Sequence, residues 1–77
     1  MQRDKFYGLL NNHSLLQHDT LDELKNVTIE FPFFQLGWML YLKNLKVTGS
    51  IEYETILKRV AISIPDRKKL YHFLHTE

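Results

Sequence analysis

The sequence has no cysteine, and only three glycines and two prolines among its 77 residues. Without thiols there is no disulfide framework, no thiolate zinc site and no cysteine nucleophile. Three scattered glycines cannot build a phosphate-cradling loop. No stretch approaches the ~18 uncharged apolar residues that a membrane-spanning helix needs, and the first residues lack a basic-then-apolar leader pattern. A soluble, cytoplasmic domain with no membrane partner is the expectation. Charge of one sign is also lacking: ten basic and nine acidic residues leave a net +1, too little for a general attraction to polyanions. The halves differ mildly. Residues 1–38 hold three basic residues against five acids, and residues 39–77 hold seven against four.

What the chain does have is apolar bulk. Hydrophobic residues make up 44% and aromatic residues 13% of the sequence, which argues against intrinsic disorder. A chain this short buries only about 60% of its unfolded surface, so residues 1–77 are expected to form one domain with one core.

The densest apolar stretch is Phe31 to Leu42, where Gln35 is the one plainly polar side chain. A helix that is apolar on all sides is buried among other elements, so Phe33 to about Thr48 reads as the central helix. Gly37 in its middle implies either close approach by another helix or a ligand notch beside Trp38. A first helix is expected over 3–11, with Phe6, Leu9 and Leu10 on one face. Leu15 and Leu16 in the following connection are expected to plug the core. A second helix is expected from Leu21 to Glu30, opened by a Thr20-to-Glu23 capping box and facing inward through Leu21, Leu24, Val27 and Ile29. Pro32 ends it. Gly49 closes the central helix and Ser50 caps the next, expected over 51–62 with Tyr53, Ile56, Leu57, Val60 and Ala61 inward. Pro65 breaks that helix and opens the last, to about His75, lined by Leu70, Phe73 and Leu74. No credible strand appears. The fold class is all-α: a compact bundle of about five short helices around a central buried helix hairpin.

Three segments carry a family resemblance: Phe31-Pro32-Phe33-Phe34-Gln35, Leu40-Tyr41-Leu42-Lys43-Asn44-Leu45, and Pro65-Asp66-Arg67-Lys68-Lys69-Leu70-Tyr71. Together with the opening Asp4-Lys5-Phe6-Tyr7-Gly8-Leu9-Leu10, they resemble an uncharacterised bacterial family with an amino-terminal all-helical domain. The resemblance implies one domain of a longer protein, followed in some members by a tetratricopeptide-like segment, and it implies no activity. Trp38 and Ile64 depart from it, where a polar or basic residue and an alanine are expected. The span from Leu36-Gly37 to Pro65 is also loosely similar to a tetratricopeptide unit, with a first helix about one turn too long.

Chemistry is thinly represented. His72 and His75 share a face at i, i+3, while His13 and His18 fall in a connection. A zinc site needs three or four converging ligands, and no such pattern accompanies the histidines. Ser14, Ser50 and Ser63 lack a nucleophile-elbow context. Adjacent Asp22 and Glu23 belong to a helix start and are not a convergent acid pair. No catalysis, metal or cofactor is expected. Two surfaces remain. Arg67, Lys68 and Lys69 at the start of the last helix allow a helix-turn-helix reading toward nucleic acid, opposed by the near-neutral charge. The aromatic surplus favours a protein-binding or homodimerising surface rimmed by Lys43, Lys46 and Lys58. Its expected contacts are Trp38, Tyr41 and Tyr53, with Arg67 and Lys68 as a polar rim.

Overall fold

The computed structural model describes residues 2–75, and among these the chain is helical with no strand. Five α-helices follow one another: α1 (Arg3–Asn11), α2 (His18–Glu30), α3 (Gln35–Val47), α4 (Tyr53–Ser63) and α5 (Arg67–His75). A short 3-10 turn, His13–Leu15, bridges α1 and α2.

Helix α3 is the organising element. Seven successive residues, Met39 to Leu45, are buried, so this helix has no solvent face along two turns, as its apolar composition requires. Helices α2, α4 and α5 each pack on α3. Leu24, Leu40, Leu42, Leu45, Leu70 and Leu74 are fully buried where these helices meet. Full burial of one such side chain contributes about 1.5–3 kcal/mol, so the α3 contacts dominate the stability of this small domain. The close approach expected at Gly37 is made by α2. A Cβ there would stand 3.2 Å from Val27 Cγ1 and 3.0 Å from Phe34 Cδ2.

The helix boundaries follow local chemistry. Helix α3 ends in a Schellman arrangement: Gly49 takes φ 68°, its N–H donates to Lys46 O at 3.2 Å, and Ser50 N–H donates to Leu45 O at 3.0 Å. The turn before α3 is longer than the sequence pattern predicts. Phe31 closes α2, Phe34 N–H donates to Phe31 O at 3.1 Å, and the helix starts at Gln35, two residues later than expected. Pro65 likewise precedes α5 without belonging to it. Asp66 is the cap, its carboxylate accepting from Lys69 N–H at 2.9 Å. Ser50 serves a turn just ahead of α4, accepting from Glu52 N–H at 3.2 Å.

Helix α2 departs most from its pattern. It begins at His18, and the reciprocal cap lies one turn earlier than expected: Thr20 Oγ1 accepts from Gln17 N–H at 3.0 Å. Glu23, assigned to the cap by spacing, instead pairs with Lys5 of α1 at 2.7 Å. Ile29, expected inward, is 68% exposed, and Thr28 is buried in its place with its hydroxyl donating to Lys25 O at 2.7 Å. Of the leucine pair in the connection, Leu16 enters the core and Leu15 stays outside.

Two buried polar side chains tie the helices together. Asn44 is fully buried on α3. Its Nδ2 donates to Gln17 O at 3.1 Å and its Oδ1 accepts from the Thr20 hydroxyl, which fixes the start of α2 on α3. Lys43 corrects the sequence reading that placed it on a surface rim. It is buried, and its ammonium donates to Leu74 O at 2.8 Å and Phe73 O at 3.3 Å. Lys46 joins it, donating to Leu74 O at 3.0 Å and to His75 Nδ1 at 2.7 Å. Unpaired carbonyls at a helix end attract cations, so two lysines of α3 clamp the carboxyl end of α5.

Candidate functional site

Helices α2 and α4 both lie against α3 but scarcely touch one another. The space between them is an open groove. It forms two depressions of about 430 and 480 Å3, which share Thr28, Ile29, Trp38 and Arg59 and so run into one another. Toward the α3 start the groove is bounded by Pro32 and Phe33, and toward the α4 start by Ile51 and Glu52.

Trp38 forms the floor. It is half-buried, and its indole Nε1–H donates to Pro32 O at 2.9 Å, which holds the ring across the groove. Tyr41 stands one turn on, its ring centroid 6.5 Å from that of Trp38. The apolar walls are unusually bare: Ile29 is 68%, Phe33 95% and Ile51 95% exposed. Scattered exposed apolar residues are ordinary, but a contiguous set along a concavity marks a contact surface. Cationic groups stand on both walls, Lys25 on α2 and Arg59 on α4, and Glu52 is the single acid lining either depression.

The residues expected to contact a partner do not converge. Trp38 lies in the groove. Tyr41 is only 4% exposed and contributes beneath the surface; burial pushes its phenol above the usual value, with Glu52 and Asp22 adding to the shift. Tyr53 is half-buried against the core and lines neither depression; its phenol is also raised, by burial and then by Glu54 and Tyr71. Arg67 and Lys68 are exposed on the first turn of α5, away from the groove. Helix α5 makes its main contacts with α3, and neither Arg67 nor Lys68 lines either depression of the groove. Ile29, Phe33, Ile51, Lys25 and Arg59 were not legible as a set. Their common signal is position at helix ends or edges, which periodicity weighs lightly.

Two other depressions carry side-chain chemistry. One, of about 460 Å3, is walled by Phe6, Tyr7, Phe31 and Phe34 with Arg3 at its edge. The other places His13 and His72 near Asp66 and Lys69. No group of three or more histidine or acidic side chains among the described residues is arranged to hold a metal ion. The serine hydroxyls have structural partners where their bonds are seen: Ser14 donates to Asn12 Oδ1 at 2.6 Å.

His13 is the unusual titratable group. Both of its ring nitrogens are shielded from solvent and make no hydrogen bond among the described residues, while its ring meets Phe73 edge-on at 5.2 Å. Burial lowers its pKa below the ordinary 6.5, Lys43 lowers it further, and the nearby Leu10 carbonyl opposes them. The folded chain therefore binds this proton less readily than the unfolded chain. Its contribution to stability is complete above pH 6.5 and is lost as pH falls from there through the lowered value. Thermal midpoints measured from about pH 7.5 to about pH 5.5, above the main carboxylate range, should fall on acidification. His13→Leu should flatten that fall, and an equal slope in both proteins would exclude His13 as its source.

The fold and groove define a small all-α helical domain with a surface concavity. The chain belongs to the family described as a domain of unknown function, DUF8458, which it matches over residues 4–77. No curated protein and no solved structure matches it.

Proposed function

We propose that the chain is a non-catalytic helical interaction module that receives part of another protein in the groove between α2 and α4. The observation that carries this reading is the continuity of the groove across Trp38, with Ile29, Phe33 and Ile51 bare along its walls. Leaving such surface in water is unfavourable by about 25 cal/mol per Å2, and a partner would recover that energy. The same proposal takes the module as one domain of a longer bacterial, cytoplasmic protein, as the family resemblance of its opening and central segments suggests; among the described residues no helix is long and apolar enough to cross a membrane. The nucleic-acid reading through Arg67, Lys68 and Lys69 has weaker support, because a net charge of +1 gives little general attraction to polyanions.

The test is site-specific photo-cross-linking in the source cells, with benzoylphenylalanine at Ile29 or Ile51 and a control at Leu15, which lines neither depression. Protein adducts are expected from the two groove positions, unaffected by nuclease and abolished by Phe33→Ser in a chain that retains its helical circular dichroism. Adducts of equal yield from Leu15, or adducts that survive Phe33→Ser, would overturn the assignment.

A further inference from the structure

We infer that the groove is built for an amphipathic helix of about three turns whose apolar face is flanked by acidic side chains, a refinement that rests on the interaction reading above. Length comes first. The α4 wall is an eleven-residue helix, about 16 Å at ~1.5 Å per residue, so the groove matches a helical segment of similar span. Its cross-section comes from the packing: α2 and α4 each rest on α3 and leave the position between them unfilled. Helix-in-groove recognition reads apolar anchors at i, i+3 or i+4, and i+7. Trp38 on the floor, with Ile29 and Ile56 on the walls, supplies surfaces for that stripe.

Charge selects among possible occupants. Lys25 and Arg59 are exposed on opposite walls. Among the described residues, the one salt bridge is Lys5–Glu23, so neither cation is held in an ion pair there. Arg59 lines both depressions, whereas Glu52 lines only the end nearest the start of α4. An occupant with carboxylates along both edges of its apolar face would meet a cation on each side. A lysine-flanked helix would meet two like charges. Symmetric pairing with a second copy would bring the same basic walls toward each other, which makes it the less favoured occupant.

Trp38 is the only tryptophan in the chain and lies on the groove floor, so its emission reports occupancy directly. The probes are two tryptophan-free synthetic helices with the same leucine stripe, one flanked by glutamate and the other by lysine. The glutamate peptide should shift Trp38 emission and bind about tenfold more tightly than its lysine twin, the worth of two exposed ion pairs replacing two repulsions. The preference should shrink in ~1 M salt. Reversing both wall charges, by Lys25→Glu with Arg59→Glu, should invert it. Both positions are exposed, so the variant keeps the core intact.

Equal binding of the two peptides would overturn the acidic assignment and leave the docking groove standing. Failure of both to move Trp38 emission, together with no cross-links from Ile29 or Ile51, would remove the groove reading itself. A concentration-dependent emission change without peptide, matched by dimers in sedimentation equilibrium, would place a second copy in the groove and overturn the inference.

Discussion

Replacing Asn44 by aspartate is expected to cost about 3–4 kcal/mol, the magnitude of an uncompensated buried charge, and to lower the thermal midpoint by about 15 °C or more. The side chain is fully buried on α3 and performs two opposite tasks. Its amide nitrogen donates to the Gln17 carbonyl and its amide oxygen accepts from the Thr20 hydroxyl. Aspartate keeps the shape and the accepting oxygen, but it sets a second oxygen against Gln17 O and adds a charge with no cation described beside it. Leucine, of similar volume, should cost less, about 1–2 kcal/mol. It loses two hydrogen bonds, but the Thr20 N–H still donates to Gln17 O at 3.1 Å, so that carbonyl is not stranded. The order Asp worse than Leu is the informative result. Chemical denaturation of both variants, with Thr20→Val and the Thr20→Val, Asn44→Leu double variant, tests it. Residues sharing one network should give less than additive losses. A neutral Asn44→Asp, or strictly additive losses for Thr20 and Asn44, would show that this contact does not hold α2 in place.

The role of Asn44 also shows where sequence reading reaches its limit. Helix content was legible because apolar spacing reports which side of a helix faces the core. The buried faces of α4 and α5 follow it closely: Val60, Leu70 and Leu74 are buried and Ile56, Leu57 and Phe73 pack beside them. Gly49 was legible because a left-handed residue after a helix has a strong chemical preference. Long-range polar bonds have no such signature. Lys43 and Asn44 sit side by side in a helical segment, and spacing alone offers no reason for either to point inward. The capping box failed for a related reason. Thr20 takes part in the cap, but from inside the helix and not as its first residue: its hydroxyl answers Gln17 three residues back and Asn44 across 24 residues of sequence separation, and Glu23 is taken by Lys5.

The candidate site was less legible than the fold. Trp38 stood out as a departure from the family pattern and does lie in the groove. Tyr41, its neighbour one helical step on, is withdrawn into the core because α3 has no solvent face at that level. The groove walls come from Ile29 on α2 and Arg59 on α4, brought together only because both helices dock on α3. A surface made by three helices is a property of their packing geometry, and no single helix's pattern contains it. Ile51, expected to open the fourth helix, lies instead in the turn before α4, where helical spacing does not report its direction.

Lys43→Ala should cost about 3 kcal/mol and should loosen α5 before the rest of the domain. The estimate combines loss of charge-assisted bonds to Phe73 O and Leu74 O, each worth about 1.5–3 kcal/mol, with loss of the buried aliphatic stem. Lys46 can retain part of the clamp, since it also donates to Leu74 O, and this keeps the total below the simple sum. Lys43→Met separates the contributions: it preserves the stem and deletes the ammonium, and should cost about half as much. Native-state hydrogen exchange reads the location. Amides of α5 should lose protection ahead of those in α2 and α3, because α5 has only nine residues, too few for a helix to persist without tertiary contacts. The same variants bear on His13, whose pKa Lys43 depresses together with burial. Removing the ammonium removes one of the two lowering influences, so Lys43→Met should lose less stability on acidification than the natural chain. A stability loss spread evenly over all five helices, or an unchanged pH dependence in Lys43→Met, would show that Lys43 acts as general core packing and not as a charged clamp on the end of α5.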